Sequence, residues 1–368
     1  MLKADIITIH IGKNFGSVLQ TIATCEILKT LGVLPIVVNY IPPRGTYCYY
    51  WKQGTASLIK MLRRLLFFPI HYISNANFYK YLSSHCELSE KIYASDDFVK
   101  KCPKADLLIT GSDQVWNYNH NQGIDKHYFF DGIKEKKIAF SSSIGMKELP
   151  ENYRMYMQRA LNEFSAVSVR EDSALDLLSK IGINAVQLLD PTLLIDRSQW
   201  EKYASSPKVK QKYLFVYLPY NTDNIELVYK TVRKIADNKQ LKVVTYSAEI
   251  FNCKYADKTI KFSTPGDILS LILYADFVVT NSFHGTAFSI NLNKQFYVYM
   301  PSHFSTRLES ILNLCNLKDR ILNDVVSKTE INKVINFDES NAILTKERKK
   351  AIDFLTKAIE IDNVSKNK

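Results

Sequence analysis

Four short runs in this chain gather residue types that bind anions and move protons. Ser168-Val169-Arg170-Glu171-Asp172-Ser173 puts Arg170 at the end of an apolar run. A guanidinium fork there matches a carboxylate or phosphate with two parallel hydrogen bonds. Asn281-Ser282-Phe283-His284-Gly285-Thr286 holds His284 at a strand-to-helix turn. An imidazole in that place suits a general acid working near neutral pH. The Gly285 amide and its neighbours open the next helix, a position that favours anions. Gly111-Ser112-Asp113-Gln114-Val115-Trp116-Asn117 offers Asp113 to accept a hydroxyl proton and Trp116 to stack on a sugar ring. Lys13-Asn14-Phe15-Gly16-Ser17 is a glycine-containing turn where backbone can approach a ligand closely. Each run also has a plain structural reading. Arg170 could pair with Glu171 or Asp172, Asp113 and His284 could cap turns, Trp116 could fill a core, and Ser17 could be a helix N-cap.

Those side chains need a scaffold that brings strand ends together. Apolar runs alternate with helical patterns along the chain. Ile6 to Ile11, Val33 to Asn39, Asp106 to Thr110, Lys137 to Ser142, Ala166 to Arg170 and Val186 to Leu189 read as strands of a first lobe. Helices are expected from about Ser17 to Leu31 and from Ser173 to Ile181, stopped by Gly32 and Gly182. A second set starts at Tyr213 to Leu218. It continues with a helix from about Asn224, strands Leu241 to Tyr246 and Phe277 to Thr280, a helix from Asp267 to Tyr274, and the strand Phe296 to Met300. Such alternation builds parallel sheets. The fold class is therefore α/β, with two Rossmann-like lobes facing a cleft. The expected division is 1–200, 201–335, and a charged helical segment 336–368 that packs back on the first lobe.

One internal echo supports two related lobes. Ala105-Asp106-Leu107-Leu108-Ile109-Thr110 precedes Gly111, and Ala275-Asp276-Phe277-Val278-Val279-Thr280 precedes Asn281. Each reads as a buried strand opening into a polar turn, and open α/β sheets bind ligands beyond such ends.

Composition narrows the function classes. The 368 residues are 46% hydrophobic and 23% charged, which is globular rather than disordered. The formal charge of +11 favours acidic partners, but no zinc-finger spacing or RNA-binding aromatic motif points to nucleic acid. The histidines form no HxH or HExxH spacing, so no metal is expected. The Asn14 run is neither GxGxxG nor a Walker loop, so no dinucleotide cofactor is indicated. The six cysteines form no CxxC pair and suit free thiols in a reducing cytoplasm. No run approaches the about 20 apolar residues of a membrane-spanning helix. Ser57 to Tyr72 reads as a basic amphipathic helix, with Leu58, Met61, Leu62 and Leu65 on one face and Lys60, Arg63 and Arg64 elsewhere. Such helices pack on their own domain or lie on anionic membranes.

In order and spacing these runs resemble the polysaccharide pyruvyl transferase family. The resemblance rests on Asn14 to Thr21, Gly111 to Asn117, Ser141-Ser142-Ser143-Ile144-Gly145, Ser168 to Glu171, Leu189-Asp190-Pro191-Thr192 and Asn281 to Gly285. It spans roughly residues 4–320. It implies a fold like the GT-B glycosyltransferases, phosphoenolpyruvate as donor and no cofactor. It further implies a sugar hydroxyl pair of a cell-surface glycan as acceptor, free or lipid-linked, and a pyruvate ketal as product. By the same resemblance His284 is the general acid, and Asp113 is taken as the base. Arg170, Arg307, Ser282 and Gly285 bind the donor, and Asn14, Gly16, Ser112, Gln114 and Trp116 line the acceptor side. Some members carry arginine two residues before the histidine; Ser282 stands there in this chain, so Arg307 must compensate or the donor differs. Two other readings stay open: a glycosyltransferase using a nucleotide sugar, and a non-catalytic glycan-binding member. The expected setting is cytoplasmic, with peripheral contact at the inner face of a membrane.

Overall fold

Strands of two to seven residues, most followed by a helix, build two all-parallel sheets in a computed structural model. It describes residues 1–52, 58–221, 225–247, 252–301, 305–322 and 331–360. The first stretch carries β1 (Leu2–Ile7), β2 (Val33–Val37), β3 (Tyr40–Ile41), β4 (Ile92–Tyr93), β5 (Leu107–Thr110), β6 (Lys136–Ser142), β7 (Phe164–Val169) and β8 (Val186–Gln187). Six of these form one sheet in the order β2-β1-β5-β6-β7-β8, while β3 pairs with β4. The second stretch carries β9 (Tyr213–Tyr217), β10 (Lys242–Ser247), β11 (Lys258–Lys261), β12 (Phe277–Thr280), β13 (Gln295–Tyr299) and β14 (Ile321–Leu322). Its order is β11-β10-β9-β12-β13-β14. Both sheets therefore reverse direction once, between β1 and β5 and between β9 and β12. Those two points are where loops part and leave a crevice.

The Ala-Asp echo has the same physical cause in both sheets. Asp106 takes a hydrogen bond from the Lys3 amide at 3.0 Å, and Asp276 takes one from the Tyr213 amide at 3.0 Å. Each aspartate clamps the start of its sheet's first strand. Thr110 and Thr280 end the strands that follow those aspartates, β5 and β12, and donate their hydroxyls to the carbonyls of Tyr128 and Tyr217.

Contacts divide the chain into two units, Met1–Leu194 with Glu347–Lys368, and Ile195–Lys346. The first cut falls six residues before the expected 200/201 boundary. The second falls inside the helix Asp338–Glu360, after the expected 335/336 boundary. Within the first unit, Arg348 Nε donates to the Leu193 carbonyl at 2.7 Å.

Several element bounds differ from the sequence expectation. The first strand ends at Ile7 rather than Ile11, because Thr8 and His10 turn inward, Thr8 Oγ1 donating to the Ser112 carbonyl and His10 Nδ1 bonding the Thr8 carbonyl. The first helix begins at Phe15, capped by Asn14, which accepts from the amides of Gly16 and Ser17; Ser17 is not the cap. Strand β11 was not foreseen from sequence. The amphipathic helix runs from Leu58 to Ser83. Ser57 and Asn224, the expected starts of two helices, lie outside the described residues. Met61, Leu62 and Leu65 are exposed rather than packed inward. Cys25, Cys86, Cys102, Cys253 and Cys315 are free thiols.

One carboxylate sits inside the first sheet. Asp5 on β1 is fully buried, with the Cys102 thiol 4.0 Å from Oδ2 and no hydrogen-bond partner for Oδ1 among the described residues. Burial, helped by the charge of Glu135, pushes its pKa from 3.8 up to about 7. The folded state therefore keeps a proton that the unfolded chain releases, and stability falls as pH rises from about 4 to about 7. Asp5→Asn should remove that slope and stabilise the fold at pH 8 by a few kcal/mol. Urea unfolding of both proteins at pH 5 and pH 8 checks this; equal slopes would refute it.

Candidate functional site

In the first unit the loops after β1 and β5 part at the reversal point, and both are tied into one polar network. Thr8 Oγ1 donates to the Ser112 carbonyl at 2.5 Å, and Gln20 Nε2 donates to Thr8 Oγ1 at 3.0 Å. Ser17 Oγ donates to Asp113 Oδ2 in a short hydrogen bond. Asp113 is held at a φ of 74°, so its backbone turns sharply. Its Oδ1 accepts from the Gln114 amide at 2.8 Å.

Arg170 is the centre of that network. Its side chain has no exposed surface, and Nη1 lies 2.6 Å from Asp190 Oδ2. Nη2 lies 3.4 Å from Asp113 Oδ1, and Nε lies 3.8 Å from Glu171 Oε2. Burial works against its charge, but Asp190, Asp113 and Glu171 outweigh that and raise its pKa above the ordinary value. The carboxylates are held in turn by donors from other strand ends. Asp190 Oδ1 accepts from Thr192 N at 2.9 Å and Thr192 Oγ1 at 2.6 Å, and Oδ2 accepts from Ser112 Oγ at 2.8 Å. Glu171 Oε1 accepts from Ser143 Oγ, Ile144 N and Gly145 N at 2.8–2.9 Å. Gly145 is needed there: its φ is 60°, and a Cβ would sit 2.7 Å from Gln114 Oε1.

The structure thus brings together Gly16, Ser112, Asp113, Gln114 and Arg170, but as a scaffold more than a surface. Arg170 is committed to carboxylates from three stretches, and its main partner is Asp190 rather than Glu171 or Asp172. Asp113 already accepts three hydrogen bonds, which leaves little room to take a substrate proton. Trp116 does not line an acceptor face. It is fully buried, stacked on Phe129 at 5.6 Å, with Nε1 donating to the Tyr128 carbonyl at 3.4 Å. Asn14 is exposed at its cap position.

In the second unit the equivalent reversal point holds different chemistry. Ser282 caps the helix Phe283–Asn291, its Oγ accepting from the Gly285 amide at 3.4 Å. Gly285 is small for packing: a Cβ there would lie 3.1 Å from Thr280 Cβ. Asn281 bonds back to Tyr220 on the loop after β9, donating to its carbonyl at 2.8 Å. His284 is buried in the first turn of that helix, its ring centroid 5.1 Å from that of Phe283. The Arg307 guanidinium, also buried, lies 5.8 Å from the Phe283 ring. An imidazole, a guanidinium and a helix start therefore share one neighbourhood, which suits an anion that must be protonated.

A cavity of about 590 Å³ in the first unit escaped sequence reasoning. Tyr40, Asp96, Phe98, Asp125, His127 and Asp131 are among its lining residues. His127 Nδ1 lies 2.7 Å from Asp125 Oδ1, and Tyr40 donates its hydroxyl to Asp125 Oδ2 at 2.8 Å. The Tyr40 and His127 rings stack at 4.5 Å. The Asp-x-His spacing of residues 125 and 127 was the available signal. Among the described residues no cluster of His, Cys, Asp or Glu could hold a metal ion.

A family model described as polysaccharide pyruvyl transferase matches residues 14–303. No curated protein matches the chain. Among solved structures, HepE of Anabaena in complex with UDP and glucose aligns over 98% of this chain and 99% of its own, with 10% identity and a TM-score of 0.52. The UDP-N-acetylglucosamine 2-epimerase of Rickettsia bellii aligns over 96% and 98%, with 10% identity and a TM-score of 0.50. This likeness shows the fold, that of the GT-B glycosyltransferases and epimerases.

Removing Arg170 would leave three buried carboxylates facing one another. Arg170→Met should cost about 3–5 kcal/mol of stability without any ligand present. Arg170→Lys should recover only part, because an ammonium cannot bridge Asp190 and Asp113 together. Thermal unfolding of the free protein tests this; an unchanged melting temperature in Arg170→Met would overturn the scaffold role.

Proposed function

The chain belongs to the polysaccharide pyruvyl transferase family, and from that premise we propose that it moves the pyruvyl group of phosphoenolpyruvate onto a pair of sugar hydroxyls. The product is a cyclic pyruvate ketal on a cell-surface polysaccharide or its lipid-linked precursor, and phosphate leaves. The match over residues 14–303 is the observation that carries this reading.

The chemistry assigns roles to the second unit's residues. Proton delivery to the methylene carbon makes C2 electrophilic. One hydroxyl adds to C2, phosphate departs, and the second hydroxyl closes the ring. One hydroxyl proton balances the new methyl group and the other leaves with phosphate. His284, buried at its helix start, is the acid. Arg307 and the first-turn amides of Phe283–Asn291 hold the donor's negative charge, with Arg307 supplying the cation in place of the arginine that some family members carry where Ser282 stands. Ser282 and Gly285 shape that turn rather than grip the donor. Arg170 and Asp113 act as positioning residues, holding the first unit's strand ends in register.

The acceptor sugar fits the Asp125–His127 cavity better than the buried Ser112, Gln114 and Trp116. Its carboxylates repel a donor bearing carboxylate and phosphate, and they accept hydrogen bonds from sugar hydroxyls. His127, held by Asp125, is placed to take a hydroxyl proton.

Phosphoenolpyruvate should raise the melting temperature of the protein, with about 2.7 kcal/mol gained at 100 times its dissociation constant. Stabilisation by nucleotide sugars alone would instead move the assignment to glycosyl transfer. His284→Asn should lower ketal formation by ~10²–10⁴ while donor stabilisation persists. Arg307→Met should weaken donor binding by roughly 10–100-fold. Unaltered turnover in His284→Asn would eliminate the acid assignment.

A further inference from the structure

The long helix Leu58–Ser83 leaves an apolar side uncovered. Met61, Leu62, Leu65, Leu66, Tyr72 and Ile73 are 42–72% exposed. They are six of the fifteen exposed large hydrophobic residues among those described, and they fall within thirteen positions. Scattered exposed apolar residues need no explanation, but a concentration does. At about 100° per residue these six positions occupy one arc of about 140°. Ser74, Phe78 and Leu82 lie on the opposite side and are buried. The stripe is therefore the outward face of a helix anchored by its other face.

Aromatic rings extend the stripe. Tyr47 stacks on Tyr72 at 5.8 Å, and Trp51 lies 5.2 Å from Phe68. Tyrosine and tryptophan, with apolar bodies and polar tips, suit a boundary between oil and water. Charge is equally one-sided. No aspartate or glutamate occurs between Glu26 and Glu87, while that interval holds seven lysines and arginines, giving 7 − 0 = +7 of the chain's +11. By helix position, Arg64 falls beyond one edge of the apolar arc, and the exposed Lys80 lies past its C-terminal end.

We propose that this face docks on an anionic lipid surface, with the helix lying in the plane of the interface. An apolar stripe flanked by cations matches acyl chains beneath phosphate headgroups. The helix does not span the bilayer: among the described residues none is long and apolar enough to cross a membrane. A second copy of the chain is a poorer occupant, because a symmetric contact would bring this helix's cations against their own copies with no aspartate or glutamate on the helix to pair them. The docking is independent of the donor assigned above.

Co-sedimentation of the full chain with vesicles tests this. Phosphatidylcholine containing about one quarter phosphatidylglycerol should carry the protein down, pure phosphatidylcholine much less, and added salt should weaken the binding. Leu62→Ser with Leu66→Ser changes two well-exposed residues and should lower partitioning at least about tenfold with the melting temperature unchanged. Arg64→Glu should lower it roughly fivefold or more. No sedimentation with the anionic vesicles, or equal sedimentation of the double variant, overturns the proposal. So does a dimer in solution that the double variant dissociates, which would give the face to a second copy.

Discussion

A guanidinium with no exposed surface is the constraint around which the first unit is arranged. A charge removed from water must be matched by partners close enough to replace hydration. Arg170 finds them on three stretches of chain: Asp113 after β5, Glu171 beside it, and Asp190 after β8. One cation does not satisfy three carboxylates, so each also needs hydrogen-bond donors. Ser17, the Gln114 amide, Ser112, Thr192, Ser143 and the amides of Ile144 and Gly145 supply them. Ser143, just after β6, and the glycine at 145 follow from that demand. Polar motifs far apart in sequence are thus members of a single electrostatic arrangement.

The second unit spends its reversal point differently. There the polar groups are hydroxyls and an amide that shape a turn, and the ionisable side chains are His284 and Arg307. The same sheet logic therefore yields a carboxylate-rich scaffold in one unit and a helix start with a buried imidazole and a buried guanidinium in the other. That contrast underlies the proposal of an anionic donor in the second unit and of a neutral polyol at the acidic cavity of the first.

Much of this was legible in sequence because it depends on short-range rules. Strand β12 and its turn were read correctly from an apolar run ending in Thr280. That both sheets are parallel follows from the alternation, although β11 and β14 were not read from it. What failed depends on distance. The plain reading of Arg170 paired it with Glu171 or Asp172; Glu171 is a partner at 3.8 Å, but the closest carboxylate, Asp190, lies twenty positions away. Trp116 sits beside polar residues in sequence, yet its ring turns into the core against Phe129. Apolar Ile9 and Ile11 prolonged the first strand on paper, but Thr8 and His10 bend that segment into a loop. The outward face of Leu58–Ser83 shows that helical periodicity reveals an apolar stripe without saying what covers it.

The helix Asp338–Glu360 carries a consequence for the order of events during synthesis. Its portion from Glu347 belongs to the first unit, where Ala351, Leu355 and Ala358 are buried and Arg348 holds the Leu193 carbonyl. Domains ordinarily fold as they emerge from the ribosome, earliest first. Here the first unit must wait for a segment translated after the whole second unit. The apolar surface that Ala351, Leu355 and Ala358 cover stays open while the second unit is made, so the nascent chain depends on protection until that helix appears.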